Sequence, residues 1–167
     1  SDFQQSSDAL ESDYIDLYQL ENPLIIPQKD GPDGLYNELV SMKKHGFIRH
    51  FGISTDDYDI AREGILSGLY EVVQFPFNPI SPVEIQELVK LCEQNEIGCI
   101  AMQPLNGGVV SNIPLAFGFL YQFENVVPVW GTHTQEELHQ IIYLNNNPPV
   151  IDEKFRKEVE REKQFFN

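Results

Sequence analysis

The stretch "DGLYNELVSMKKHGFIRHFGIS", Asp33 to Ser54, decides how the rest of the chain is read. It opens on Asp33, a residue type that caps helix starts, and reaches Gly46, the type that closes helices at the C′ position. Lys43, Lys44 and His45 stand just before that glycine, where cations meet the negative end of the helix dipole. "IRHFGIS", Ile48–Ser54, follows at once as a short β-prone run. A helix that hands over directly to a strand is half of a βα repeat.

The neighbouring sequence repeats it. "YIDLYQL", "YEVVQFPF" (Tyr70–Phe77), "GCIAMQPL" (Gly98–Leu105) and "NVVPVWG" (Asn125–Gly131) are further short apolar runs, each ending in a polar loop ahead of an amphipathic stretch. "SPVEIQELVKLC" offers Ser81 as N-cap, Pro82 at N1 and Glu84 at N3, which predicts a capping box. Thr134 and Glu137 in "THTQEELHQIIYL" have the same spacing. The opening "SDFQQSSDALES" begins as if inside a helix, and a charged helix is predicted from Asp152 to Phe166. The expected fold class is α/β, with about five parallel βα units joined by right-handed crossovers. Such units build either an open doubly wound sheet or part of a (β/α)8 barrel.

Composition narrows the partners. At 167 residues and 41% hydrophobic content, the chain is long enough for a real core. The net charge is −15, which argues against nucleic acid and anionic membrane surfaces as partners. No run approaches the roughly 18 apolar residues of a membrane span, and no signal peptide is expected. Cys92 and Cys99 lack metal-ligand or CxxC spacing, so two reduced thiols in a cytoplasmic protein are expected. His133 and His139, six apart, share no helical face, and no metal site is expected.

In βα folds the chemistry gathers at the carboxyl ends of the strands. Those ends read Glu21-Asn22, Ser54-Thr55, Gln74 with Asn78, Gln103 with Asn106-Gly107-Gly108, and Thr132-His133-Thr134. Two residues stand out. Gln74 interrupts an apolar strand, and a buried amide needs partners, a ligand amide among them. Glu21 closes "DYIDLYQLENP", Asp13 to Pro23, as a carboxylate at the mouth of a run read as a buried strand.

Five blocks, "DYIDLYQLENP", "LVSMKKHGFIRHFGIS", "EVVQFPFNPIS", "IAMQPLNGG" and "VVPVWGT…EEL", resemble in order and spacing the second half of an aldo-keto reductase. The resemblance runs from about Ser7 to Leu144. The wording of the blocks, with a tail ending "REKQFF", is most similar to bacterial and archaeal members that continue into an iron–sulfur segment. The cysteines of that segment are absent here, so a cluster is expected only in a longer parent.

The resemblance implies an incomplete TIM barrel, strands four to eight, over residues 1–150, with the charged helix at 151–167. It implies hydride transfer between NADP or NAD and a small-molecule carbonyl, or a conjugated alkene. Ser54 and Gln74 would hold the nicotinamide carboxamide, and Met102 would pack on its face. Leu105 to Gly108, with Gly107 central, would pass the pyrophosphate, and Gly131, Thr132 and Glu137 would face the adenosine end. Glu21 occupies the place of the family's substrate-orienting His. There it is a protonated acid, a substrate or metal contact, or a residue without a catalytic role.

The departures matter as much. From Leu91 through Glu153 there is no Lys or Arg to hold a 2′-phosphate. NADH preference, neutral donors such as Thr132, Thr134 and His133, or decayed binding all fit that gap. The family's Asp, proton-donating Tyr and Lys belong to strands one to three, and a barrel needs about 250 residues. The chain is thus expected to be a piece of a reductase, inactive alone, or a natural half-barrel without catalysis that covers its open edges as a homodimer.

Overall fold

The computed structural model describes residues 2–166. Five strands alternate with helices: β1 (Ile15–Glu21), β2 (Ile48–Ser54), β3 (Val72–Pro76), β4 (Gly98–Met102) and β5 (Val126–Pro128). The helices are α1 (Asp2–Leu10), α2 (Leu35–Lys44), α3 (Tyr58–Ser67), α4 (Val83–Gln94), α5 (Ile113–Tyr121), α6 (Gln135–Asn146) and α7 (Glu153–Phe166). The strands form one parallel sheet in the order β1-β2-β3-β4-β5. A doubly wound sheet reverses strand order at a switch point, whereas sequential order is that of a barrel. The fold is therefore a partial TIM barrel. The chain divides into two compact units, Ser1–Val73 and Gln74–Asn167, with the boundary inside β3.

In the first unit, β1 and β2 pair from Ile15↔Ile48 to Glu21↔Ser54. The core gathers Ile26, Leu39, Ile48, Phe51, Ile53, Ile65 and Val73. The Tyr36, Phe51 and Tyr70 rings meet edge to face, and the buried Tyr70 hydroxyl donates to the Pro27 carbonyl at 2.7 Å. Burial, then the neighbouring Tyr36, pushes the Tyr70 phenol well above its ordinary range. Helix α2 ends as its sequence predicts. Gly46 takes φ 80°, and the Gly46 and Phe47 N–H groups return to the Lys43 and Met42 carbonyls, a Schellman closure. At its start, Asp33 accepts from Leu35 N–H at 3.0 Å across a left-handed Gly34.

β1 differs from its expectation. None of its residues is fully buried, and Asp16 and Glu21 are exposed. Its apolar side chains are half-buried, and Tyr18 meets Phe3 of α1 edge to face at 6.0 Å.

In the second unit, Phe75, Phe77, Leu88, Val89, Ala101 and Val110 are buried with most of α5. Phe77, Phe119 and Phe123 form a ring cluster with centroids 5.1–5.5 Å apart. α5 is the element least visible in the sequence. It is apolar on every side, and Ile113 and Leu115 to Leu120 are all buried. Gly118 lets α7 approach, since a Cβ there would lie 2.7 Å from the Phe155 ring and from Pro149. Cys92 and Cys99 are free and buried, and the Cys92 thiol beside Cys99, together with burial, holds the latter protonated.

The predicted Ser81 capping box does not form. α4 begins at Val83 without a side-chain cap, because the Ser81 hydroxyl accepts instead from Asn78 N–H at 2.9 Å. The Thr134–Glu137 box does form on α6: Thr134 Oγ1 accepts from Glu137 N–H at 3.1 Å, and Glu137 Oε2 accepts from Thr134 N–H at 3.3 Å.

Candidate functional site

Strand ends in the first unit are tied through Asn22. Its N–H donates to the Ser54 carbonyl at 2.7 Å, and its side-chain oxygen accepts from Asp56 N–H at 3.3 Å. Glu21 and Ser54 are register partners, so their side chains leave the sheet at the same level. Glu21 is exposed and Ser54 half-buried. Thr55, next to Ser54, is a turn residue: it is 1% exposed, and its hydroxyl accepts from Asp57 N–H at 3.1 Å. Asp57 in turn caps α3 through Asp59 and Ile60 N–H.

In the second unit the structure brings Gln74 and Met102 together. The Gln74 Nε2 donates to the Met102 sulfur at 3.7 Å, while Phe77 N–H pairs with the Met102 carbonyl at 3.0 Å. A thioether is a weak acceptor for an amide, so Gln74 can exchange this contact for a better one.

The chain then turns sharply. Gln103, Asn106, Gly107 and Gly108 all have positive φ, at 53°, 46°, 64° and 92°. For a residue other than glycine this costs roughly 1–2 kcal/mol, so surrounding bonds must hold the loop. The Asn106 N–H donates to the Gln103 carbonyl at 2.9 Å, and Gly108 and Val110 N–H both donate to the Leu105 carbonyl. Asn106, Gly108, Val109 and Val110 thus direct their N–H groups into the turn. Leu105 is half-buried, while Gly107 and Gly108 are exposed.

Gly131 is exposed and Thr132 half-buried ahead of α6. Glu137 Oε2 accepts from His133 N–H at 2.7 Å as well as from Thr134 N–H. These two N–H groups hold its carboxyl below the ordinary range, the His133 bond first. Trp130 does not lie free in this loop. Its ring stacks on Phe117 at 5.9 Å and packs against a cluster of Ile113, Phe117, Ile141 and Leu144. A groove of about 730 Å³, lined by Trp130, Phe117, Tyr121 and Ile142 together with Glu124 and Asn145, contains none of the strand-end residues named above. Among the described residues no group of three or more His, Cys, Asp or Glu is placed to hold a metal, and no helix is long and apolar enough to cross a membrane.

Sequence reasoning passed over two arrangements. At the amino end of the sheet, Glu71 Oε1 accepts from Lys43 Nζ at 2.6 Å and meets His50 Nδ1 at 2.9 Å, while Oε2 accepts from Phe51 N–H at 3.2 Å. At the carboxyl end, buried Asn78 links the turn after β3 to Gln103. Neither has a local signal, since each joins residues at least twenty positions apart.

The model of the "Aldo/keto reductase family" matches residues 1–116. The uncharacterized oxidoreductase YqkF of Bacillus subtilis is 28% identical over 106 residues, 64% of this chain and 33% of that protein. The uncharacterized oxidoreductase C215.11c of Schizosaccharomyces pombe is 33% identical over 99 residues, 58% of this chain and 30% of that protein. Among solved structures, the aldo-keto reductase AKR11C1 from Bacillus halodurans in its holo form superposes with TM-score 0.79 at 17% identity. It covers 96% of this chain and 65% of its own. An aldo-keto reductase from Klebsiella pneumoniae, solved in complex with NADPH, gives TM-score 0.74 at 16% identity, covering 95% of this chain and 62% of its own. The chain belongs to the aldo/keto reductase family. Its matches span about a third of the length of the curated relatives.

Proposed function

We propose that this chain supplies the cofactor-side half of a nicotinamide-dependent carbonyl reductase. The observation that carries the reading is the Gln74 carboxamide beside the Met102 sulfur at neighbouring strand ends. A planar amide and a soft, polarizable side chain suit a nicotinamide, the first by hydrogen bonds and the second by packing on the ring face. In this reading Ser54 and Gln74 orient the carboxamide, Leu105 and Gly107 border the pyrophosphate, Gly131 and Thr132 border the adenosine, and Glu21 contacts the substrate. A bound nicotinamide supplies or accepts the hydride. The proton donor and its Lys lie on strands that these residues do not include. Residues 1–150 are the barrel portion and 151–167 an appended helix. Two free buried thiols fit a reducing cytoplasm.

Cation-free sequence from Leu91 to Glu153 favours NADH over NADPH, because nothing there offsets the charge of a 2′-phosphate. The Glu137 carboxylate is already engaged by two N–H groups, which softens its repulsion without reversing it. The test is calorimetric titration of the full-length protein with each cofactor. NADH is expected to bind more tightly than NADPH. Binding of neither would replace the reductase reading with that of a non-catalytic half-barrel.

A further inference from the structure

We infer that Asn78 is the positioning residue of the loop after β4, and that through the Gln103 carbonyl it sets how tightly that loop takes a pyrophosphate. The inference rests on the nicotinamide reading above, which gives Leu105 to Gly108 their partner.

Asn78 is 4% exposed, and its polar groups are engaged on both sides. Three of its bonds are local. Its N–H donates to Ser81 Oγ at 2.9 Å, its carbonyl accepts from Ser81 N–H at 3.0 Å, and its Oδ1 accepts from Ile80 N–H at 3.1 Å. An Asp in this place would keep all three. The fourth bond is different in kind: Nδ2 donates to the Gln103 carbonyl at 3.1 Å, 25 residues along the chain. Asn supplies that donor and the Ile80 acceptor together, whereas an ionised Asp can only accept.

Gln103 is the point at which β4 becomes the loop. It adopts φ 53° without being glycine, and the same carbonyl accepts Asn106 N–H at 2.9 Å. Two donors on one carbonyl fix the peptide plane from which Asn106, Gly107 and Gly108 depart. Leu105 continues the arrangement by accepting Gly108 and Val110 N–H. Orientation therefore passes from a buried amide on the β3 side to the exposed glycines of the next loop. Asn78 itself touches no cofactor in this scheme. It acts through Gln103.

The test measures binding of NADH and of ADP-ribose, which has the pyrophosphate without the nicotinamide, by calorimetry on the full-length protein. Asn78→Asp removes the one donor and sets an oxygen against the Gln103 carbonyl. Gln74→Ala is the comparator at the nicotinamide end. Asp152→Ala, which removes the α7 cap on Phe155 N–H, is the control for lost stability. The expected result is at least a tenfold loss for both ligands in Asn78→Asp, a loss for NADH alone in Gln74→Ala, and no change in Asp152→Ala. Should Asn78→Asp fail to fold, Asn78→Ala removes the donor, and the Ile80 acceptor with it, without adding charge, and is expected to show the same loss. Unchanged ADP-ribose affinity in the Asn78 variant overturns the inference and leaves the nicotinamide reading standing. So does a loss matched by Asp152→Ala. A wild-type protein that binds neither ligand ends both.

Discussion

Glu71 shows how one side chain can join three elements. It receives Lys43 from the end of α2, and His50 and the Phe51 N–H from β2, while its own N–H pairs with the Phe51 carbonyl. Burial works to raise its pKa, but the hydrogen bonds from Lys43, His50 and Phe51, with the Lys43 charge, hold the carboxyl below its ordinary value of 4.5. A folded value below the unfolded one means the unfolded state binds more protons in between. The stabilisation is thus complete above about pH 4.5 and lost as pH falls through the folded value. The side chain is 35% exposed, so solvent screening limits the worth of the pairs to about 0.2–1 kcal/mol. Glu71→Gln should lower the unfolding free energy from urea titration at pH 7 by that amount, and the difference from wild type should shrink below pH 4.5. A difference that is constant with pH would show that the carboxylate charge is irrelevant. The link was not legible in the sequence, where Lys43 reads as a helix-end cation and His50 and Glu71 stand in other segments.

At the scale of elements, the two capping sequences make an instructive pair. Ser81 with Glu84, and Thr134 with Glu137, have the same spacing, yet only the second pair forms the box. A cap is decided by neighbours within a turn on either side, and an N–H just ahead of the helix can compete for the hydroxyl. Nothing competes for Thr134, whereas Asn78 N–H takes Ser81. Thr134→Ala should therefore destabilise the fold by about 1 kcal/mol, read as a shift in urea midpoint. Ends set by backbone chemistry, such as Gly46 on α2, were readable for the same reason of locality. α5 was not, because a helix buried on all sides has no polar face to give it a period.

Over the whole molecule, charge is the feature the sequence states most plainly. The 26 acidic residues outnumber 11 basic ones, and the ion pairs among the described residues are few and partly exposed. Self-repulsion should dominate over these pairs. Salt that shortens the screening length from roughly 30 Å at 0.01 M to about 8 Å at 0.15 M should then raise the thermal midpoint. A midpoint that falls with salt would mean the pairs outweigh the repulsion. The sequence by itself determined this charge, the alternation of helix and strand, and the polar residues closing each strand, because period, caps and composition are properties of neighbours along the chain. Tertiary structure alone decided that β1 is half-buried, that Trp130 stacks on Phe117, and that Asn78 reaches Gln103. Those depend on which distant segments the sheet brings within hydrogen-bonding or packing distance, and no local pattern encodes that.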